Sequence, residues 1–332
     1  MKIFDAHCDT AEKLLNNKVS LYKNECHLDI ERMKMYENFS QFFAVCICSS
    51  NAEQGEESLF GRYINDEPFQ RANTIINALL KEIDINSQHI SLCKSYNDMA
   101  QAWKAHKIGA FLTLEGASPL CGKLSNLDYF YQKGIRLITL TWNYRNELGC
   151  GAVSSQQYPE NERGLTPFGI DVVKHMNELG IIIDVSHLSD EGFYDVLKYS
   201  SKPFMASHSN SRSICSHVRN LTDDMIRCIG DIGGFIGINL CPEFITDSLN
   251  SADANIDKLI LHIEHIASIA GENSIGLGCD FDGIDNTPVG INSIADIYKL
   301  TNRMIQLNYS SDFIEKFTHK NLCEFLLLLL PS

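Results

Sequence analysis

Eight short runs rich in β-branched and aromatic residues recur along the chain, separated by longer stretches with helical apolar spacing, and this alternation constrains the fold more than anything else. The runs are KIFDAH near residue 3, FSQFFAVCIC from 39, GAFLTLE from 109, IRLITLTW from 135, IIIDVSH from 181, PFMASH from 203, GFIGINL from 234 and SIGLGCD from 274. Repeated strand–crossover–strand units give a parallel sheet, and eight strands is the number that closes an α/β barrel of the (β/α)8, or TIM-barrel, type. Two intervening stretches read as crossover helices. FGIDVVKHMNELG places Ile170, Val173 and Met176 on one face with Gly180 as its stop, and NIDKLILHIEHIASIAG repeats the arrangement before Gly271. Segments 49–68 and 143–168 are polar and rich in Gly, Asn and Glu, and read as loops over a site or as insertions, not as a domain boundary. Residues 1–332 are therefore expected to form a single barrel domain.

Composition narrows the class of function. A hydrophobic fraction of 44% is ample for a core of this size, and the formal charge of −14 argues against nucleic acid or an acidic membrane surface as a partner. The twelve cysteines are scattered, several inside apolar runs, and read as reduced, mostly buried thiols. The start MKIFDAHCDT lacks the apolar core of a secretory signal, and the run Phe325 to Leu330 is too short to span a bilayer, so it reads as the packed face of a terminal helix. The expected location is the cytoplasm.

In a parallel barrel the site lies at the carboxyl ends of the strands, and those ends carry the chemistry here. His7 and Asp9 end the first strand, Glu115 the third, His187 the fifth, His208 the sixth and Asp280 the eighth. Strand side chains alternate, so His7 and Asp9 point into one site while Cys8 points elsewhere. Asp5 lies on the same face one layer deeper, where it would accept a hydrogen bond from a ligand imidazole. A lone HCD triplet would read as a surface turn, and Glu115 alone is as readily a solvated rim carboxylate as a ligand. Together with His187 and His208, two Ser-His endings on successive strands, the set reads as a metal site. Imidazole nitrogen mixed with carboxylate oxygen favours zinc over magnesium, and the same donors also accept manganese, cobalt or iron. The glycines of GLGCDFDG lack a phosphate-loop pattern, and no cysteine is placed beside a base.

With these residues in hand, the sequence resembles the membrane (renal) dipeptidase family of metallopeptidases, in particular its soluble bacterial members. The resemblance covers nearly the whole chain and is carried by DAHCDT at the start, LEGA at 114, LTPFGIDVVKHMNELGIIIDVSH from 165, ASHSNSRSICSHVRNLTDD from 206 and GLGCDFDG from 276. It implies a (β/α)8 barrel of the metal-dependent amidohydrolase type with two zinc ions, His7 and Asp9 on the first, His187 and His208 on the second, and Glu115 bridging. It also implies Asp280 as the catalytic carboxylate and Arg219 as the cation that holds the terminal carboxylate of a dipeptide. One position departs from the family's best-known animal members, whose LTLTH histidine helps polarise the substrate carbonyl. This chain has Trp142, an indole that donates one hydrogen bond and carries no charge, with Asn143 or Tyr144 next to it to take over.

The expected reaction is hydrolysis of dipeptides, including those with a D-residue at the second position, by a hydroxide shared between two cations that lower the pKa of water toward about 7. Asp280 would move the proton, and Arg219 would measure the substrate by its free carboxylate. Other readings of the same residues are an amide or lactone hydrolase on the same barrel and a metal-binding protein without catalysis. The family's habit of pairing makes a homodimer the assembly to look for.

Overall fold

The structure is a computed structural model that describes residues 1–16, 19–47 and 67–330. Among them are nine strands: β1 (Lys2–Cys8), β2 (Asn38–Cys46), β3 (Ile90–Leu92), β4 (Ile108–Glu115), β5 (Ile135–Thr139), β6 (Ile182–Asp184), β7 (Met205–Ala206), β8 (Phe235–Ile238) and β9 (Ile275–Leu277). All pair in parallel. β1 lies between β2 and β9, β2 pairs with β4, and β4 to β9 follow in order, so eight strands close a (β/α)8 barrel. Each of these eight coincides with one of the eight runs to within a residue at its ends or falls inside it. The ninth, β3, was not marked. It shares one edge of β4 with β5, pairing at Ile108–Ala110 while β5 pairs from Leu112 to Glu115.

The staves are buried on both faces, β4 along its whole length, which is why they read as near-continuous apolar runs. The helices carry the caps that the sequence announces. Pro167–Leu179 starts on Thr166, whose hydroxyl accepts from Gly169 N at 3.0 Å, and ends at Gly180 with φ +77°, a backbone that glycine adopts at little cost. Ile256–Ala270 starts on Asn255, which accepts from Lys258 N at 3.1 Å.

Two hydrophobic clusters divide the interior. The larger packs the helices on the outside of the barrel. The smaller fills the barrel's amino end, where Phe4, Phe42 and Phe111 stack with centroids 4.9–5.7 Å apart beside Leu137, Ile182, Met205 and Phe235. The terminal helix Asn321–Leu329 adds Phe325 and Leu326 to this cluster and leaves Leu327 and Leu328 exposed, so the apolar run near the end is half packing face, half surface. With one end filled by aromatic rings, the opening that remains is at the carboxyl ends.

Segment 49–68, read as a loop, lies outside the described residues except for Glu67 and Pro68, and Cys48 lies outside them too. Every described cysteine is free. No helix among the described residues is long and apolar enough to cross a membrane.

Candidate metal centre

Only two of the expected ligands sit in regular strands, His7 in β1 and Glu115 as the last residue of β4. Asp9 follows β1 at the start of the short helix Thr10–Lys13, while His187, His208 and Asp280 lie two or three residues beyond β6, β7 and β9. Pairing stops short of them for a reason visible in the backbone. His187 and Asp280 have φ of +68° and +60°, a left-handed conformation that no strand contains and that costs a non-glycine residue of order 1–3 kcal/mol. Such strain persists where surrounding structure dictates it, and here it falls on two residues of one site.

Glu115 stands at the middle. Its Oε1 lies 3.0 Å from His187 Nε2 and 3.3 Å from His208 Nε2, and these two nitrogens are 3.0 Å apart. Atoms bound about 2.0–2.1 Å from one tetrahedral ion lie roughly 3.3 Å from one another, so the three form a face that suits a single cation. The other oxygen, Oε2, turns the opposite way, 3.6 Å from His7 Nε2, which is 3.2 Å from Asp9 Oδ2. One carboxylate thus contributes an oxygen to each of two donor sets. Asp280 Oδ1 is 3.9 Å from His7 Nε2. A Cβ on Gly283 would overlap the carboxylates of Asp9 and Asp280, so glycine there lets the two come together.

The electrostatics fit cations. Three carboxylates, Asp9, Glu115 and Asp280, are buried side by side, an arrangement that is costly without compensating positive charge. Burial raises the Asp9 carboxyl well above its usual range, and Glu115 beside it adds to the rise. Burial also lifts Asp280 to about 6. Burial acts the same way on Glu115, but His7 and the hydrogen bonds from His187 and His208 overcome it and hold this carboxyl well below its ordinary value. Burial favours neutral imidazoles at His187, brought down to about 4, and at His208, the form in which histidine binds metal. Asp9 Oδ1 is buried without a hydrogen-bond partner among the described residues, an oxygen left available to a cation. The residues present fit a pair of bound cations.

Residues 1–326 match the model of the membrane dipeptidase family, peptidase family M19. The chain belongs to that family. Membership makes it a metallopeptidase of the dipeptidase class. It is 33% identical to an uncharacterized protein from the pqqA 5′ region of Klebsiella pneumoniae over 74% of this chain and 91% of that one. An uncharacterized dipeptidase of Schizosaccharomyces pombe is 30% identical over 95% of this chain and 77% of its own length. The fold matches that of a metallopeptidase from Rhodobacter sphaeroides, solved with a phosphinate mimic of the dipeptide L-Ala-D-Ala, with a TM-score of 0.87 and 24% identity over 99% of both chains.

In this family member the histidines are held by a second layer of polar groups. Ser207 Oγ donates to Asp184 Oδ2 at 2.6 Å and lies 2.7 Å from His208 Nδ1, which therefore carries the proton and leaves Nε2 bare. Asp184 is itself satisfied, its oxygens also accepting from Thr139 Oγ1, Ser186 N and Ser207 N. Asn143 Oδ1 lies 2.7 Å from His187 Nδ1 and performs the same service there, so the structure sets beside an imidazole a residue expected to contact substrate. The Asp5 expectation does not hold. Its Oδ1 accepts from Cys279 N at 2.8 Å and its Oδ2 has no hydrogen-bond partner among the described residues, because the main chain just past β9, not an imidazole, meets it at that depth of the barrel.

Arg219 is buried beside the main chain of His208. It is only 3% exposed, its guanidinium lies 5.4 Å from the centre of the Phe244 ring, and among the described residues that group makes one long hydrogen bond, Nη2 to His208 O at 3.4 Å, with Nε unpartnered. Trp142 lies along the rim, its ring stacked 6.0 Å from that of His187. Both Trp142 and Asn143 line a cleft of about 240 Å³ with Asp9, Glu115, His187 and Asp280, faced by Phe244 and Ile284. Asp184, Ser207 and Asn239 were not singled out from sequence. Ser207 stood inside the quoted ASH motif, but an Asp in an apolar run and an Asn at the end of another carry no signal until their partners are known.

Proposed function

We propose that the chain is a zinc-dependent dipeptidase that holds two ions, one by His7 and Asp9 and one by His187 and His208, with Glu115 contributing an oxygen to each. The observation that carries this reading is the split of Glu115 between two donor sets. Bound there, the ions supply Lewis acidity that acidifies water and polarises a carbonyl.

The chain's own residues do the rest. Asp280, whose Oδ1 faces the cleft 3.9 Å from His7 Nε2, is placed to take a proton from the attacking water and return it to the departing amine. Arg219, under-bonded and buried, pairs with the carboxylate one residue past the scissile bond, which limits the substrate to two residues. A cleft of about 240 Å³ is below the roughly 300–1,000 Å³ usual for drug-sized ligands, in keeping with so short a peptide. Phe244, Ile284 and Trp142 give the cleft apolar walls against which substrate side chains can pack. Asn143 is assigned to hold His187, and Trp142, lacking the charge of a histidine, to shape the cleft. The mimic bound to the Rhodobacter sphaeroides protein puts dipeptides with a D-residue second within the proposed range.

The test is a titration of the metal-free protein with zinc while hydrolysis of a dipeptide and of its C-terminal amide is followed. The proposal requires activity that rises to two ions per chain and favours the free carboxylate. Full activity at one ion, or equal cleavage of the amide, would refute it.

A further inference from the structure

We propose that Asn239 is a positioning residue that aims the Asp280 carboxylate. The inference rests on the dipeptidase reading for what Asp280 does, and on geometry alone for how it is held. Asn239 follows β8 and is fully buried. Its Nδ2 donates to Asp280 Oδ2 at 2.9 Å and to the main-chain oxygen of His208 at 3.3 Å, the same oxygen that accepts from Arg219 Nη2. One amide thereby joins a metal-site histidine, the buried cation and the acid–base carboxylate.

The orientation of that amide has no freedom. Oδ1 accepts from Cys241 N at 2.6 Å, so the NH2 group must face Asp280. The main chain of Asn239 is clamped in turn by Asn210, which accepts from its N–H at 3.0 Å and donates to its carbonyl at 3.0 Å. With Oδ2 bound to Asn239, Asp280 offers Oδ1 to the cleft, on the side of His7 and Gly283. The main chain of Asp280 is tied to His7 O at 3.1 Å and to Gly283 N at 3.2 Å, and among the described residues the Asn239 amide is the side chain that hydrogen-bonds its carboxylate.

Two variants test this in the metal-loaded enzyme. Asn239→Asp keeps the shape and the acceptor for Cys241 but removes the donor, and Asn239→Leu removes it without adding charge. Both are expected to lose about 10- to 100-fold in kcat, with KM within about twofold and metal content unchanged. Crystal structures of both should show the Asp280 carboxylate turned from its wild-type orientation while Asp9 and His208 stay in place. The proposal is overturned by an unmoved Asp280, by kcat within about twofold of wild type, by a kcat loss that tracks lost metal, or by a loss confined to the Asp variant. A wild-type protein that cleaves no dipeptide overturns the dipeptidase reading instead, and the orientation of Asp280 in the variants still decides the role of Asn239.

Discussion

Asp280 and Arg219 carry the two residue-level claims, and they separate cleanly. Asp280→Asn keeps size and removes the basic oxygen, so turnover should fall by at least about 100-fold while both ions stay bound, read by kinetics and metal analysis of one preparation. Turnover close to wild type would remove Asp280 from the chemistry. Arg219→Ala takes away a charge-assisted bond of about 1.5–3 kcal/mol, so kcat/KM for a free dipeptide should drop about 10- to 100-fold and that for its C-terminal amide far less. Equal losses would count against the carboxylate pairing. At this scale the residues that the structure gathers into one cluster were legible, because the carboxyl ends of parallel barrel strands converge on one rim. Their supports were not. Asn143, Ser207 and Asn239 are ordinary polar residues whose roles depend on partners 44, 1 and 41 positions away.

At the scale of elements, the barrel strands were legible from apolar runs, and β3 was missed because three residues, ISL, pair along only the first part of β4. Where strands end was also hidden, since nothing in IIIDVSH or SIGLGCD announces the left-handed turn at His187 or Asp280. The filled amino end predicts that Phe111→Ala, which empties the centre of the aromatic cluster, costs about 3–5 kcal/mol in chemical denaturation while the distant metal stoichiometry is kept. Asp29 gives a pH-dependent case. It caps the short helix Ile30–Met33, accepting from Arg32 N at 2.8 Å and from Arg32 Nη2 at 2.8 Å. Burial would raise its carboxyl, but the Arg32 bonds and the Asn24 amide outweigh it and the carboxyl is held low. A depressed folded-state value means stability present above the unfolded value near pH 4 and lost as pH falls through the folded one. Asp29→Ala should therefore lower stability by about 1 kcal/mol near pH 7, with the gap to wild type closing below about pH 4 in paired melts. A gap that is constant with pH would mean that the charge of Asp29 contributes nothing.

For the molecule as a whole, the pairing of β1 with β9 closes the chain's two ends into one barrel and brings residues 7 and 280 into one centre. That long-range closure is why a list of strand ends could be read as a site before any distance was known. Which ions the assembled centre holds and which substrate it takes are decided by measurement on the intact protein. The central claim is that two zinc ions held on Glu115 make this chain a dipeptidase. The most direct measurement is a dipeptide panel, with D-residues at the second position included, run on one preparation before and after chelation and with its metal content determined. The account predicts two ions per chain, hydrolysis that vanishes with the chelator and returns with zinc, and preference for a free C-terminal carboxylate. A protein that carries its metal and cleaves no dipeptide in the panel would contradict it.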